Sequence, residues 1–140
     1  MMIRRLAMTI SWGAVLALGV VAAWAHWRAN QVEVVDPTVP LAEGLRPVLL
    51  VPGWFDTGTR MEPLAARLRQ EGWDSASVKV ITFEDPVGSN VDHATEIALA
   101  VEELLLANRG RAPREVDVVA HSMGGLAVRW YLQNGGDARV

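Results

Sequence analysis

The chain contains no cysteine. A disulfide framework, a cysteine-ligated zinc site and a thiol nucleophile are therefore excluded. The compartment stays open, because an exported protein can do without disulfides. Histidine is scarce: His26, His93 and His121 lie far apart and never in H-E-x-x-H spacing. No metal site is read from them, and no cofactor is called for. An excess of positive charge is also missing; the net charge of −3 argues against nucleic acid as a partner. Internal repeats and low-complexity tracts are absent. The length, 140 residues, corresponds to one small domain.

What is present begins with an apolar N-terminus, which raises the apolar fraction to 51%. Arg4 and Arg5 are followed by an uncharged run of 20 residues, Leu6 to Ala25. As a helix this run rises about 30 Å, enough to span a bilayer core. Trp24 and Trp27 suit a membrane interface at its far end, and the arginines favour a cytoplasmic N-terminus. Residues 1–30 thus read as a signal-anchor or a signal peptide. The length of the run favours retention, with the membrane contacted through residues 6–25. Ala23-Trp24-Ala25 fits an A-x-A cleavage site before His26. Either reading sends the rest of the chain across the membrane. Residues 31–45 read as a linker, broken by Pro37, Pro40 and Gly44 and solvated by Glu33, Asp36 and Glu43. An extra edge strand at Val32 to Val35 is the alternative.

From residue 46 onward, strand and helix patterns alternate three times. Pro47 to Val51 is a continuous apolar run, as expected of a parallel strand covered on both faces. A turn-rich loop follows from Pro52-Gly53 through Thr59. The next helix runs to about Glu71, with Leu64, Ala65 and Leu68 as its buried stripe and Gly72 as its stop. Its start is ambiguous, since Thr59 with Glu62 fits a capping box while Pro63 suits a slightly later start. Val78 to Phe83 is a second strand rich in β-branched residues. Val91 to about Asn108 is the longest helix, with Asn90 as N-cap and an inner stripe of Ala94, Ile97, Ala98, Val101, Leu104 and Leu105. Val116 to Ala120 is the third strand. Gly124 to about Asn134 is the last helix, with Leu126, Ala127, Trp130 and Tyr131 as its inner face. The alternation predicts an α/β fold, a parallel βαβαβα unit preceded by an N-terminal hydrophobic helix.

The stretch that carries chemistry is Ala120-His121-Ser122-Met123-Gly124, between the third strand and the last helix. One hydroxyl stands at the apex of a sharp strand-to-helix turn. Small residues at Ala120 and Gly124 let the backbone fold that tightly, in a variant of G-x-S-x-G with alanine first. A serine that merely caps the next helix is the plain alternative. As a nucleophile, Ser122 would attack an acyl carbonyl and form an acyl-enzyme. The Met123 N–H, directly after it and at a helix start, is one donor for the oxyanion. His121, adjacent on the backbone, should project away from the hydroxyl and support the elbow.

With its Val-Asp-Val-Val lead-in and its Gly125-Leu126-Ala127-Val128-Arg129 continuation, this motif resembles bacterial triacylglycerol lipases and esterases of the α/β-hydrolase superfamily. The resemblance implies a partial α/β-hydrolase fold, an acyl-ester or lipid substrate and a place in the bacterial cell envelope, anchored or secreted. It aligns Leu50-Val51-Pro52-Gly53-Trp54 with the lipase strand that ends in His-Gly, which makes the Trp54 N–H the second oxyanion donor. Proline at position 52 departs from that pattern and removes the imidazole that braces the loop.

The order expected of this fold is Ser, then acid, then His. After Ser122 the chain offers Asp137 alone, in the turn after the nucleophile helix, and no histidine. Upstream, His93 beside Asp92 does not fit the order. No catalytic acid or base is therefore assigned. Residues 46–140 are read as the N-terminal part of a hydrolase domain, truncated after the nucleophile helix. Three functions follow: a serine hydrolase of lipase or carboxylesterase type, an acyltransferase using the same serine, or an anchored non-catalytic scaffold.

Overall fold

The computed structural model describes Asp36, residues 39–136 and Val140, all within the unit Val35–Val140. The signal or anchor at 1–30, the alternative strand at Val32 to Val35 and Asp137 lie outside the described residues. Among the described residues no helix is long and apolar enough to cross a membrane.

Three parallel strands form the centre. β1 (Val48–Val51) lies between β2 (Val78–Val80) and β3 (Asp117–Ala120), in the order β2-β1-β3. Leu49, Leu50 and Val51 are wholly buried, each stabilising the fold by about 1.5–3 kcal/mol relative to exposure. The faces of β1 alternate as strand geometry requires. Val48 and Leu50 pack with Met61, Ala65 and Val78, under helix α1 (Glu62–Gln70). Leu49 and Val51 pack with Ile97, Val101, Leu104, Ala127 and Tyr131, under helices α2 (Asn90–Ala107) and α3 (Met123–Gln133). The result is a three-layer α/β/α unit, the parallel βαβαβα arrangement expected.

Chain order leaves β1 to one side for β2, then crosses to the other side for β3. The carboxyl ends of β1 and β3 therefore flank a topological switch point, where α/β sheets bind their ligands. Register completes the placement. Val51 pairs with Ala120, so Pro52-Gly53 and His121-Ser122 leave the sheet side by side.

Several local expectations are corrected. β2 ends at Val80; Ile81 and Phe83 are buried but irregular. The Thr59 capping box does not form. Thr59 Oγ1 bonds Thr57 Oγ1 instead, Thr59–Met61 makes a 3-10 turn, and Pro63 falls in the first turn of α1, where its missing N–H costs nothing. The inward stripe is Met61, in the 3-10 turn, then Ala65 and Leu68 of α1, with Leu64 exposed. Ser89, not Asn90, caps α2: its Oγ accepts the Asp92 N–H and donates to Asp92 Oδ2. α3 begins at Met123, and its buried stripe is Gly124, Ala127 and Tyr131. Leu126 and Trp130, expected inside, are exposed. The close seat of Gly124 against Pro52 fixes the rotation of this helix and turns those two side chains outward.

At the opposite end of the sheet, a polar cluster joins distant segments. Arg111 is buried; its Nε donates to Val39 O (2.9 Å), its Nη1 to Asn108 Oδ1 (3.3 Å) and its Nη2 to Asp74 Oδ2. Asp74 Oδ1 accepts from the N–H groups of Ala76 and Ser77 and from Ser77 Oγ. Burial pushes the Asp74 carboxyl up, but the Arg111 and Ser77 hydrogen bonds, the Arg111 charge and the Ala76 N–H outweigh it and hold the pKa below its ordinary value. Leu41 is buried and donates its N–H to Arg111 O (2.8 Å). From Val39 onward, the stretch read as a linker thus rests on the domain.

Candidate active site

Ser122 sits in the gap between β3 and α3 with φ 52° and ψ −124°. Left-handed backbone is costly for a residue carrying a Cβ, about 1–3 kcal/mol, and persists only where the surroundings impose it. Here they do. The His121 N–H donates to Val51 O (3.0 Å), extending the β1–β3 ladder one residue past the strand. The Gly124 and Gly125 N–H groups then donate to His121 O (2.9 Å) and Ser122 O (3.0 Å) and start the helix at once. Ladder and helix meet with a single residue between them. That residue is Ser122, and its side chain is exposed.

The loop after β1 closes against this corner. A Cβ on Gly53 would lie 2.9 Å from His121 Nδ1 and 3.1 Å from Ser122 Cβ. Any side chain at position 53 would strike the elbow. Gly53 therefore brings the backbone leading to Trp54 alongside the serine. Trp54 and Phe55 project outward, 59% and 73% exposed, with ring centroids 5.6 Å apart. Among the described residues, Phe55 is the other non-glycine residue with positive φ (57°). Among the described residues, no hydrogen bond takes up the Trp54 N–H, the Met123 N–H or the Ser122 hydroxyl. Two free N–H groups and a free hydroxyl thus border one exposed corner. The Met123 N–H also lies at the positive end of α3, where backbone dipoles favour an anion.

The chain matches the family model for class 2 lipases over residues 45–139. The chain belongs to the class 2 lipase family. Hydrolysis of the lipase and esterase type, with an ester or lipid substrate, is the chemistry of that family.

In this class 2 lipase the residues read from the sequence fall into two groups. Ser122, Met123, Trp54, Ala120, His121 and Gly124 gather at the carboxyl ends of β1 and β3. Ala120 pairs with Val51 and packs on the core; the His121 ring lies against Gly53; Gly124 abuts the Pro52 carbonyl. His93 stands apart. It is buried, stacked on Phe83 with ring centroids 3.9 Å apart, and its Nε2 is 2.8 Å from Asp85 O. Its ring is held by that carbonyl rather than offered to a nucleophile. A groove of about 420 Å³ between α2 and α3, lined by Val91, Ala94, Trp130 and Tyr131 among others, takes in none of the elbow residues.

Two features of the site were not read from the sequence. Asp56, next to Phe55, is buried, and its Oδ2 has no hydrogen-bond partner among the described residues. The Phe55 N–H donates to Pro86 O (3.1 Å), tying the loop after β1 to the loop before α2. No local pattern signals that tie. The burial of His93 could have been found, because positions 93, 97, 101 and 104 form one helical stripe.

Proposed function

We propose that Ser122 is the nucleophile of an acyl-ester hydrolase of lipase or carboxylesterase type. Its Oγ attacks the ester carbonyl, the alcohol leaves, and water releases the acid from the acyl-enzyme. The oxyanion of the tetrahedral intermediate is held by the N–H groups of Met123 and Trp54. The observation that carries this reading is the backbone of Ser122: a strained, non-glycine residue that presents its hydroxyl at the start of α3, beside the Gly53 loop. The membership in the class 2 lipases supports the same chemistry.

Full turnover needs a base to take the Ser122 proton. On the order Ser, acid, His, the carboxylate and histidine belong to sequence beyond α3. On this reading the domain works outside the cytoplasm, behind the apolar segment at residues 6–25 as signal or anchor. N-terminal sequencing separates those two: a mature start at His26 means cleavage, a retained Met1 means an anchor.

A fluorophosphonate probe tests the nucleophile. The Oγ–P bond forms, fluoride leaves and the hydroxyl proton passes to buffer. The expected result is slow, stoichiometric labelling of the 140-residue chain that disappears in Ser122→Ala. No labelling, or equal labelling of both, would overturn the proposal in favour of a non-catalytic scaffold.

A further inference from the structure

The loop that carries the Trp54 N–H is packed at Pro52 and Asp56, which are buried, but not at Trp54 and Phe55. Trp54 and Phe55 are mostly exposed, and Pro52 lacks a side chain able to hydrogen-bond. Two hydrogen bonds from the segment after β2 hold its backbone instead. Thr82 Oγ1 donates to Thr57 O (2.5 Å), and the Phe55 N–H donates to Pro86 O (3.1 Å). The second bears directly on the site. It fixes the Trp54–Phe55 peptide plane and sustains the positive φ of Phe55, one residue beyond the proposed oxyanion donor.

Pro86 can serve as an acceptor only if its own turn is fixed, and α2 fixes it. The Asp85 carbonyl accepts both the Gly88 N–H (3.0 Å) and His93 Nε2–H (2.8 Å). A carbonyl oxygen can only accept, so the ring proton must reside on Nε2. Asp85 Oδ1 accepts the Val87 N–H (3.0 Å), and Glu96 Oε2 accepts the Glu84 N–H (3.0 Å). Among these partners His93 is the buried one, clamped against Phe83 and unable to swing away. A rigid 18-residue helix thus grips the 84–88 loop, and that loop grips the backbone beside Trp54.

We propose that His93 is a positioning residue for the oxyanion loop, acting through Asp85 and Pro86 on Phe55 and so on the Trp54 N–H. This rests on the hydrolase reading of Ser122. It supplies from α2 the bracing that an imidazole at position 52 would give.

The test compares the full chain with His93→Phe, which keeps the apolar stack and loses the Nε2 donor, and with His93→Gln, whose amide nitrogen reaches to where Nε2 lies. In His93→Phe the Phe55 amide should exchange with solvent about tenfold faster, as expected when a hydrogen bond's support is lost. Exchange at Leu49 and Leu50 in β1 should stay unchanged, showing that the fold persists. Fluorophosphonate labelling of Ser122 should slow about tenfold, since a displaced donor costs transition-state stabilisation. His93→Gln should restore both rates, an outcome that simple space-filling by the ring does not predict. Should His93→Phe lose β1 protection, His93→Leu takes its place with the same expectation.

Unchanged Phe55 protection in the apolar variant, or a glutamine variant that behaves like phenylalanine, would overturn the brace. Failure of the wild-type chain to label would overturn the hydrolase reading and, with it, the brace's catalytic purpose. The exchange result separates that failure from a missing brace.

Discussion

Gly124 rests on the carbonyl of Pro52: a Cβ at position 124 would lie 2.2 Å from that oxygen and 3.0 Å from Val51 Cγ1. Backbone meets backbone there, and neither can yield as a side-chain end would. Gly124→Ala should destabilise the domain by about 1–3 kcal/mol or more, through forced displacement of α3. Gly125→Ala is the control. Nothing lies within 4 Å of its Cβ position, and alanine is the better helix former by about 1 kcal/mol. Urea denaturation of the two variants should therefore move in opposite directions.

Ser122→Gly should be more stable than the wild type by about 1–3 kcal/mol, because glycine takes φ 52° without the Cβ penalty. The same variant should fail to label with a fluorophosphonate. A gain in denaturation midpoint together with complete loss of labelling would show strain held at Ser122. A midpoint that falls would show that the corner stores none.

Arg111 and Asp74 should matter far more to stability than the exposed pairs Arg67–Glu71 and Lys79–Glu103. Arg111 is buried and Asp74 partly so. Removing Arg111 leaves that carboxylate uncompensated, at a cost below that of breaking a fully buried pair, about 3–5 kcal/mol, but above that of exposed pairs, about 0–1 kcal/mol. Thermal melts of Arg111→Ala and Arg67→Ala should differ accordingly. Acid should act through the same contact. The folded Asp74 pKa lies below its unfolded value, so its contribution is complete above the ordinary carboxylate value of about 3.9. That contribution is lost as pH falls through the lower, folded pKa. Arg111→Ala should flatten the part of the stability profile below about pH 4.

Asp56→Asn should stabilise the chain. Its Oδ2 is buried without a donor among the described residues, and a neutral amide loses less solvation than a carboxylate, a saving of about 1–3 kcal/mol. Differential scanning calorimetry checks the sign. A lower melting temperature would mean that the carboxylate meets a donor in solution.

Much of this was legible in the residues alone. The unbroken Val48-Leu49-Leu50-Val51 run announced a strand buried on both faces, and the α2 stripe announced its helix, because both patterns report local backbone periodicity. The elbow was legible because small residues at 120 and 124 around a serine mark a strand-to-helix turn, although the contact that requires Gly124, with the Pro52 carbonyl, is not local. Where the reading slipped, a non-local contact decided. Leu126 and Trp130 are as apolar as Ala127 and Tyr131, but the seat of Gly124 on Pro52 rotated α3 away from them. The N-cap of α2 was missed for a local reason instead: Ser89 displaced Asn90 because Asp92 answers it three residues on.

By itself, the sequence determined the element order, the apolar faces and the presence of a serine at a strained corner. Only the tertiary structure decided that the loop after β1 closes on that corner, and that His93, far from the serine in sequence, supports the loop. The reason is topological. Reversal of strand order at β1 and the Val51–Ala120 register place two loops at one sheet end, and no pattern within either loop records its partner.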